Sequence, residues 1–147
     1  MTKKGVIGKD DKLPWYIPAE IDHFRKIVNG RTLIMGRSTF EVMKGHLVSS
    51  HNVVVTHSPV DSSQADFASS LEEALRKAHN YDPDVYLVGG QSIFEQSIPM
   101  ADRMQLSYIK KDYEGNKFFP MFSEDGWLKE STEDFPEFEY VVYIKKR

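Results

Sequence analysis

A glutamate near the start of the chain stands where its carboxylate could do chemistry. Pro18 is a good first helical residue, so Glu20 is expected in the first turn of a helix, with Phe24 one turn further along the same face. An acidic residue at this position can simply complement the helix dipole. Alternatively, a carboxylate desolvated by apolar neighbours holds its proton more tightly and binds a cationic or amidine-like ligand edge. The apolar neighbours here are Leu13, Trp15, Ile21 and Phe24.

Two glycine turns could bind phosphate, because each follows a short apolar run and precedes a helical pattern. They are Gly36-Arg37-Ser38-Thr39 and Gly89-Gly90-Gln91-Ser92. The start of a helix offers free N–H groups to an anion, and an arginine adds a fork for phosphate. Plain strand-to-helix turns are the alternative. Ligands of parallel sheets bind beyond the carboxyl ends of the strands, so both turns could face one extended molecule. Neither turn has the spacing of the common dinucleotide or P-loop motifs.

The hydrophobic pattern predicts the elements that carry these residues. Short apolar runs indicate buried strands, and the Ser-x-x-Glu pattern at Ser70 indicates a helix start. Predicted helices cover about 18–29, 71–79 and 91–97, and predicted strands cover 32–35, 52–56, 85–88, 103–110 and 138–145, the last paired with 127–132. We therefore expect an α/β fold: a mainly parallel central sheet flanked by helices, with a C-terminal antiparallel strand, in a single domain over 1–147.

Composition excludes several classes of protein. The chain has 147 residues, 22 acidic and 19 basic side chains and a net charge of −3, which gives no electrostatic reason to expect a nucleic acid or an anionic membrane as partner. The absence of cysteine excludes disulfide frameworks and thiol nucleophiles. The five histidines lack a metal-ligand spacing, so no metal is expected. No signal peptide or membrane span is evident, which predicts a cytoplasmic location.

Taken together and in order, the motifs resemble bacterial dihydrofolate reductase. The resemblance runs from Gly5 to the C-terminus. The segments that carry it are Val6-Ile7-Gly8, Leu13-Pro14-Trp15, Pro18-Ala19-Glu20 with Phe24, Ile34-Met35-Gly36-Arg37-Ser38-Thr39-Phe40, Val88-Gly89-Gly90-Gln91-Ser92-Ile93-Phe94, and Glu114-Gly115 followed by Phe119-Pro120.

This resemblance implies reduction of 7,8-dihydrofolate to tetrahydrofolate, with a hydride moving from NADPH to C6 of the pterin and a proton delivered to N5. It assigns catalysis to Glu20, the pocket carboxylate, to Trp15, which would hold water, and to Ser107, which would support the carboxylate. The implied substrate-binding residues are Ile7, Leu13, Ile21, Phe24, Met43, Leu47 and Phe94, the last near the nicotinamide. The implied cofactor-binding residues are Gly36, Arg37, Ser38, Thr39, Val88, Gly89, Gly90, Gln91, Ser92 and Ile93. Arg37 would favour NADPH over NADH, and the family is a trimethoprim target.

Two departures from the family pattern leave alternatives open. Ser50 stands where the family has an arginine that clamps the substrate's glutamate, so Lys44, His46 or His51 would have to compensate. The family's first strand, about ten residues, has no counterpart before Gly5. A monomer is expected, with a strand-exchanged dimer as the alternative. The alternatives to an active reductase are a weak or inactive cofactor-binding relic and a pyrimidine reductase of the riboflavin pathway.

Overall fold

The computed structural model describes residues 1–10, 12–58 and 63–146. The chain divides into two compact units: Met1–Glu20 with Ser97–Arg147 (the first unit), and Ile21–Gln96 (the second unit). In chain order the elements are β1 (Val6–Gly8), α1 (Pro18–Val28), β2 (Thr32–Gly36), α2 (Arg37–Met43), β3 (His51–Val55), β4 (Asp66–Ala68), α3 (Leu71–His79), β5 (Val85–Leu87), α4 (Gln91–Ser97), β6 (Arg103–Ile109), β7 (Lys117–Phe118), a 3₁₀ turn (Glu124–Gly126), β8 (Trp127–Asp134) and β9 (Phe138–Lys145).

The second unit contains a four-stranded parallel sheet in the order β4-β3-β2-β5. Side chains alternate between its two faces along β2. Leu33 and Met35 pack with Val28 of α1 and Phe40 of α2, whereas Ile34 packs with the buried side of α3. The sheet is therefore covered on both faces, which explains why its strands read as continuous apolar runs and confirms the predicted parallel arrangement.

The start of α3 confirms the predicted capping pattern. The Ser70 hydroxyl accepts a hydrogen bond from the Glu73 N–H at 3.1 Å. The Glu73 carboxylate in turn accepts from the Ser69 N–H at 2.9 Å. The first bond satisfies an amide group that the first helical turn leaves without an intrahelical partner, and the second bond fixes the residue before the cap. The helix then lays a buried stripe against the sheet, consisting of Leu71, Ala74 and Ala78.

The first unit contains a three-stranded antiparallel sheet in the order β6-β9-β8, so the predicted pairing of the C-terminal strand with the segment at Trp127 is confirmed. The alternation of residues 138, 140, 142 and 144 in the sequence also predicts a single apolar face on β9, and this prediction is incomplete. Phe138 and Val142 are buried as expected, but Val141 and Tyr143 are buried too. The reason is that β9 is the middle strand, and side chains on both of its faces are covered.

The other pairings in the first unit are short. Strand β1 pairs antiparallel with β7. Ahead of β1, Thr2 forms a parallel bridge with Ile109, and the Ile109 N–H donates to the Met1 carbonyl at 2.7 Å. Two of the residues before Gly5 thus pair with β6. None of the helices in the described ranges is long and apolar enough to span a membrane.

Candidate active site

The two predicted glycine turns meet at one edge of the parallel sheet. The Gly36 N–H donates to the Gly89 carbonyl at 2.8 Å, and the Val88 N–H donates to the Ile34 carbonyl at 3.0 Å. Since β2 and β5 are parallel neighbours, both turns leave the sheet at its carboxyl edge. Residues distant in sequence are therefore brought together where such sheets bind their ligands.

Glycine is required at the centre of this junction. Gly89 has φ +110°, a conformation that L side chains rarely adopt, and a Cβ added there would lie 3.0 Å from Cε2 of Phe94. A cis peptide bond joins Gly89 to Gly90, and the Gly90 carbonyl accepts from the Phe94 N–H at 3.0 Å. The ring of Phe94 thus occupies the space that a larger residue would need, and main-chain atoms form the surface of the turn.

The remaining residues expected to bind the cofactor lie around these turns, and they differ in their exposure and in their hydrogen bonds. The Thr39 hydroxyl lies 3.6 Å from a Cβ placed on Gly90. The Ser92 hydroxyl accepts from the Gln96 amide at 3.1 Å, and the Gln91 amide donates to Glu95 at 3.0 Å. Ser38 is exposed, Val88 packs on the core, and Ile93 is buried under Gly36. Ile93 and Val88 therefore support the turns from beneath.

Arg37 opens α2 and is held on two sides. Its Nη1 donates to the Ser58 carbonyl at 2.6 Å, and its Nε lies 3.5 Å from a carboxylate oxygen of Glu41. Lys44 lies 2.6 Å from the other oxygen of Glu41; its hydrogen bond and the nearby positive charges lower the pKa of Glu41. The segment that follows β3 therefore borders Arg37, and within it the Ser58 N–H donates to the Thr56 hydroxyl at 3.1 Å. Sequence reasoning missed this neighbour, because no local pattern joins Thr56 and Ser58 to Arg37.

In the first unit, Glu20 is half-buried at the start of α1, where its N–H donates to the Ile17 carbonyl at 3.0 Å. Burial raises the pKa of the Glu20 carboxyl, and the positive amino group of Met1 partly opposes this rise. That amino group donates to the Ser107 carbonyl at 2.7 Å. Glu20 and the main chain of Ser107 therefore share a charged neighbour, and the carboxylate is desolvated as the apolar sequence around it suggested.

Trp15 supplies a buried donor. Its side chain is 8% exposed and packs with Ile17 and Ile109, while its indole N–H has no hydrogen-bond partner among the residues that the structure describes. Buried polar groups are almost always satisfied, so this N–H is suited to bind a water molecule or a ligand. Leu13 is 50% exposed and Ile7 is half-buried, so packing within the protein covers these two expected wall residues only in part.

The segment that leads to Trp15 is braced by Asn116, a residue that sequence reasoning did not single out. The Asn116 N–H donates to the Gly8 carbonyl at 3.0 Å. Its side-chain oxygen accepts from the Asp10 N–H at 3.1 Å, and its amide donates to the Asp10 carboxylate at 3.2 Å. Only the adjacent Glu114-Gly115 motif in the sequence pointed to this place.

In the second unit, the expected apolar wall residues Phe24, Met43 and Leu47 pack half-buried against one core cluster, and Ile21 is also half-buried. Beside Leu47 lies an open cleft of about 440 Å³ lined by Gly45, Leu47, Ser49, Ser50, Asn52, Ser63 and Gln64. Two candidates to replace the lost arginine are engaged elsewhere: Lys44 pairs with Glu41, and His51 stacks on Tyr81 at 3.8 Å. His46 is exposed.

Comparison with known proteins decides the family. The family model described as "Dihydrofolate reductase" matches residues 1–145. The chain belongs to the dihydrofolate reductase family. It is 33% identical to the dihydrofolate reductase of Bacillus subtilis (strain 168) over 154 residues, covering 99% of this chain and 91% of that protein. It is also 33% identical to the Haemophilus influenzae dihydrofolate reductase over 132 residues, covering 90% and 82%.

A solved structure agrees with this membership. The dihydrofolate reductase from Enterococcus faecalis, complexed with NADP(H) and RAB-propyl, matches 100% of this chain and 93% of its own, with a TM-score of 0.88 and 29% identity. The predicted α/β fold and the predicted activity, NADPH-dependent reduction of dihydrofolate, are thereby confirmed. The match to a dihydrofolate reductase family model favours this activity over that of a riboflavin-pathway reductase.

Proposed function

We propose that this dihydrofolate reductase binds NADPH along its two glycine turns and reduces 7,8-dihydrofolate with Glu20 assisting protonation. The hydrogen bond from Gly36 to Gly89 carries the proposal, because it unites the two turns at the carboxyl edge of the parallel sheet. Bound NADPH supplies the hydride that C6 of the pterin accepts. The protein then has to orient the two rings and manage one proton.

The residues around the turns fit a phosphate-bearing dinucleotide. Glycine leaves no side chain between main chain and ligand, and the Phe94 ring excludes any larger residue at Gly89. Thr39, Ser38 and Ser92 add hydroxyl groups at the starts of α2 and α4. We assign the phosphates to these groups and the nicotinamide to the side of Phe94. Val88 and Ile93 would shape the site from beneath, and Gln91 would border it.

Arg37 would recognise the 2′-phosphate that distinguishes NADPH from NADH. Its guanidinium is pre-oriented by Ser58 and Glu41, and a guanidinium retains donors for a phosphate after these two contacts. Thr56 and Ser58, at the carboxyl end of β3, would line the same subsite. An oriented fork loses less rotamer freedom on binding than a free side chain, which favours affinity.

Glu20 would hold the pterin and support its protonation. A half-buried carboxyl group with a raised pKa keeps its proton at higher pH than an ordinary glutamate, so it can give a proton toward N5 and become a carboxylate. The unpartnered indole N–H of Trp15 would hold the water that relays the proton, and Ser107 would orient the carboxyl group. The wall of the pterin and aryl groups would comprise Ile7, Leu13, Ile21, Phe24, Met43 and Leu47, with Phe94 beside the nicotinamide.

The decisive experiment is the pH profile of Glu20→Gln. We expect kcat to fall about 100-fold or more, the usual contribution of a positioned acid, while NADPH affinity changes little. In the unsubstituted protein, kcat/KM should decrease as pH rises through the raised pKa of Glu20, since the protonated form is the active one. In Glu20→Gln this decrease should be absent. Glu20→Asp, which keeps the carboxyl, should recover part of the rate.

Other outcomes separate the alternatives. Equal turnover of Glu20→Gln and the unsubstituted protein at neutral pH would remove Glu20 from the mechanism. A folded protein that binds NADPH without oxidising it in the presence of dihydrofolate would be the cofactor-binding relic. With Ser50 in place of an arginine, we also expect weak recognition of the substrate's glutamate, by about 10- to 100-fold in affinity.

Domain organisation, assembly and location are part of this proposal. A single domain is supported by the family match, which runs through both units. A monomer is supported by the buried clusters that each unit has of its own. Relatives that are bacterial reductases support a cytoplasmic location. Sedimentation at working concentration would test the monomer against a strand-exchanged dimer.

A further inference from the structure

The segment 44–50 connects α2 to β3 and carries part of the proposed aryl wall. Met43 ends α2 immediately before it, and Leu47 lies within it. Both side chains pack half-buried against the same core cluster as Phe24. The position of this segment therefore sets the position of the wall, and the inference drawn from it rests on the proposed function.

Both ends of the segment are held by main-chain hydrogen bonds. At the near end, the Lys44 N–H donates to the Phe40 carbonyl at 2.8 Å, which continues the last turn of α2. At the far end, the Gly30 N–H donates to the Val48 carbonyl at 2.9 Å, and the Ser50 N–H donates to the Arg31 carbonyl at 2.9 Å. Between the two ends, the His46 N–H donates to the Met43 carbonyl at 3.0 Å, which closes a turn that contains Gly45.

The middle is tied down by the side chain of Gln64. Gly45 has φ +87° and no atom within 4 Å of a Cβ placed on it, so packing does not confine it. Its N–H donates to Oε1 of Gln64 at 3.1 Å. The carbonyl of Gln64 in turn accepts from the amide of Asn52 at 3.3 Å, and Asn52 accepts from the Ser49 hydroxyl at 2.6 Å. Asn52 is 7% exposed, which makes it a fixed anchor.

We propose that Gln64 is a positioning residue for dihydrofolate binding, acting through Gly45 on Leu47. It joins the middle of the wall segment to the buried Asn52, so that the wall is set before the substrate arrives. Without this bond, substrate binding would have to fix the turn at Gly45 that leads into Leu47. Loss of one hydrogen bond of this kind corresponds to an affinity change of about 2- to 10-fold.

The test compares Gln64→Ala with Gln64→Glu in the full chain. Alanine removes the acceptor, whereas glutamate keeps an oxygen for the Gly45 N–H. Gln64 is exposed, so both variants should fold, which thermal unfolding checks. For Gln64→Ala we expect the KM for dihydrofolate to rise about 2- to 10-fold, with kcat and the Kd for NADPH unchanged. Gln64→Glu should restore the KM.

A purely structural role would shift both ligands or lower kcat together with the melting temperature. An unchanged KM for dihydrofolate in Gln64→Ala would overturn the proposal, as would a Gln64→Glu variant that behaves like Gln64→Ala. Absence of dihydrofolate reduction by the unsubstituted protein would instead contradict the proposed function, and the positioning role with it. The unsubstituted protein therefore separates the two failures.

Discussion

Arg37 illustrates how much of a residue's role depends on its neighbours. The sequence suggested a fork for phosphate after a glycine turn. In the structure, the same side chain is held by the Ser58 carbonyl and by Glu41. Glu41 also forms an ion pair with Lys44. Because these pairs are exposed to solvent, each adds little to stability. Their effect is to fix the direction in which the guanidinium points.

Substitution of Arg37 by alanine should change the affinities for NADPH and NADH to different extents. NADPH affinity should fall about 10- to 100-fold, the value of a charge-assisted hydrogen bond to phosphate, while NADH affinity changes little. Fluorescence titration with each cofactor measures this. Arg76→Ala, which removes an exposed arginine from α3, is the matched control for net charge. An unchanged ratio of the two affinities would show that Arg37 does not contact the 2′-phosphate.

At the level of elements, β1 and the segment before β7 approach each other closely in the first unit. A Cβ added to Gly115 would fall well inside van der Waals contact with the Gly8 carbonyl and with Val6 Cγ1. The next residue, Asn116, makes the hydrogen bonds that brace the segment leading to Trp15. The close approach of the main chain at Gly115 to β1 thus allows Asn116 to form hydrogen bonds with Gly8 and Asp10.

Gly115→Ala should therefore destabilise the protein by about 1–3 kcal/mol, the usual cost of inserting a methyl group into a filled space. Chemical denaturation at neutral pH measures the change. Gly126→Ala is the matched control, because no atom lies within 4 Å of a Cβ at that position; we expect its free energy of unfolding to stay within about 0.5 kcal/mol. Equal stability of the two variants would contradict the crowding at Gly115.

The sequence predicted the long elements well and the short ones poorly. The helix at Pro18, the capped helix at Leu71 and the strand at Phe138 were located to within a residue or so, because each has enough residues to show a period or a cap. Strands such as Asp66–Ala68 and Lys117–Phe118 were not predicted, since two or three residues show no period. Their pairing partners, distant in sequence, determine them.

The candidate site could be predicted where the type of a residue by itself indicates its local structure or environment. Glycines at the ends of strands, and a carboxylate among apolar neighbours, both indicated their settings from the sequence alone. Asn116 and Gln64 were not found, because each acts through a backbone group far away in the chain. A long-range hydrogen bond from a backbone N–H to an exposed side-chain amide leaves no local pattern by which it could be predicted.

At the scale of the whole molecule, the two units carry different spectroscopic probes. Both tryptophans, Trp15 and Trp127, belong to the first unit. Helices α2 and α3 lie entirely within the second unit, and most of α1 and α4 does too. Tryptophan fluorescence therefore reports the first unit, while far-UV circular dichroism at helical wavelengths reports mainly the second.

If the chain is a single domain, thermal unfolding followed by these two probes should give one coincident transition. NADPH at about 100 times its Kd should move both curves together, adding about 2.7 kcal/mol to the free energy of unfolding. Two separate midpoints would instead indicate that the units unfold independently. A shift of the dichroism curve alone on addition of NADPH would lead to the same conclusion.

If the two glycine turns bind NADPH as proposed, the hydrogen bond between Gly36 and Gly89 also bears on how the preference between NADPH and NADH can be re-engineered. The two turns support each other through this main-chain hydrogen bond. Replacing one turn with the sequence of a relative therefore disturbs the bond, and changes to side chains alone cannot restore it. A successful exchange would have to replace both turns together, along with the paired ends of β2 and β5.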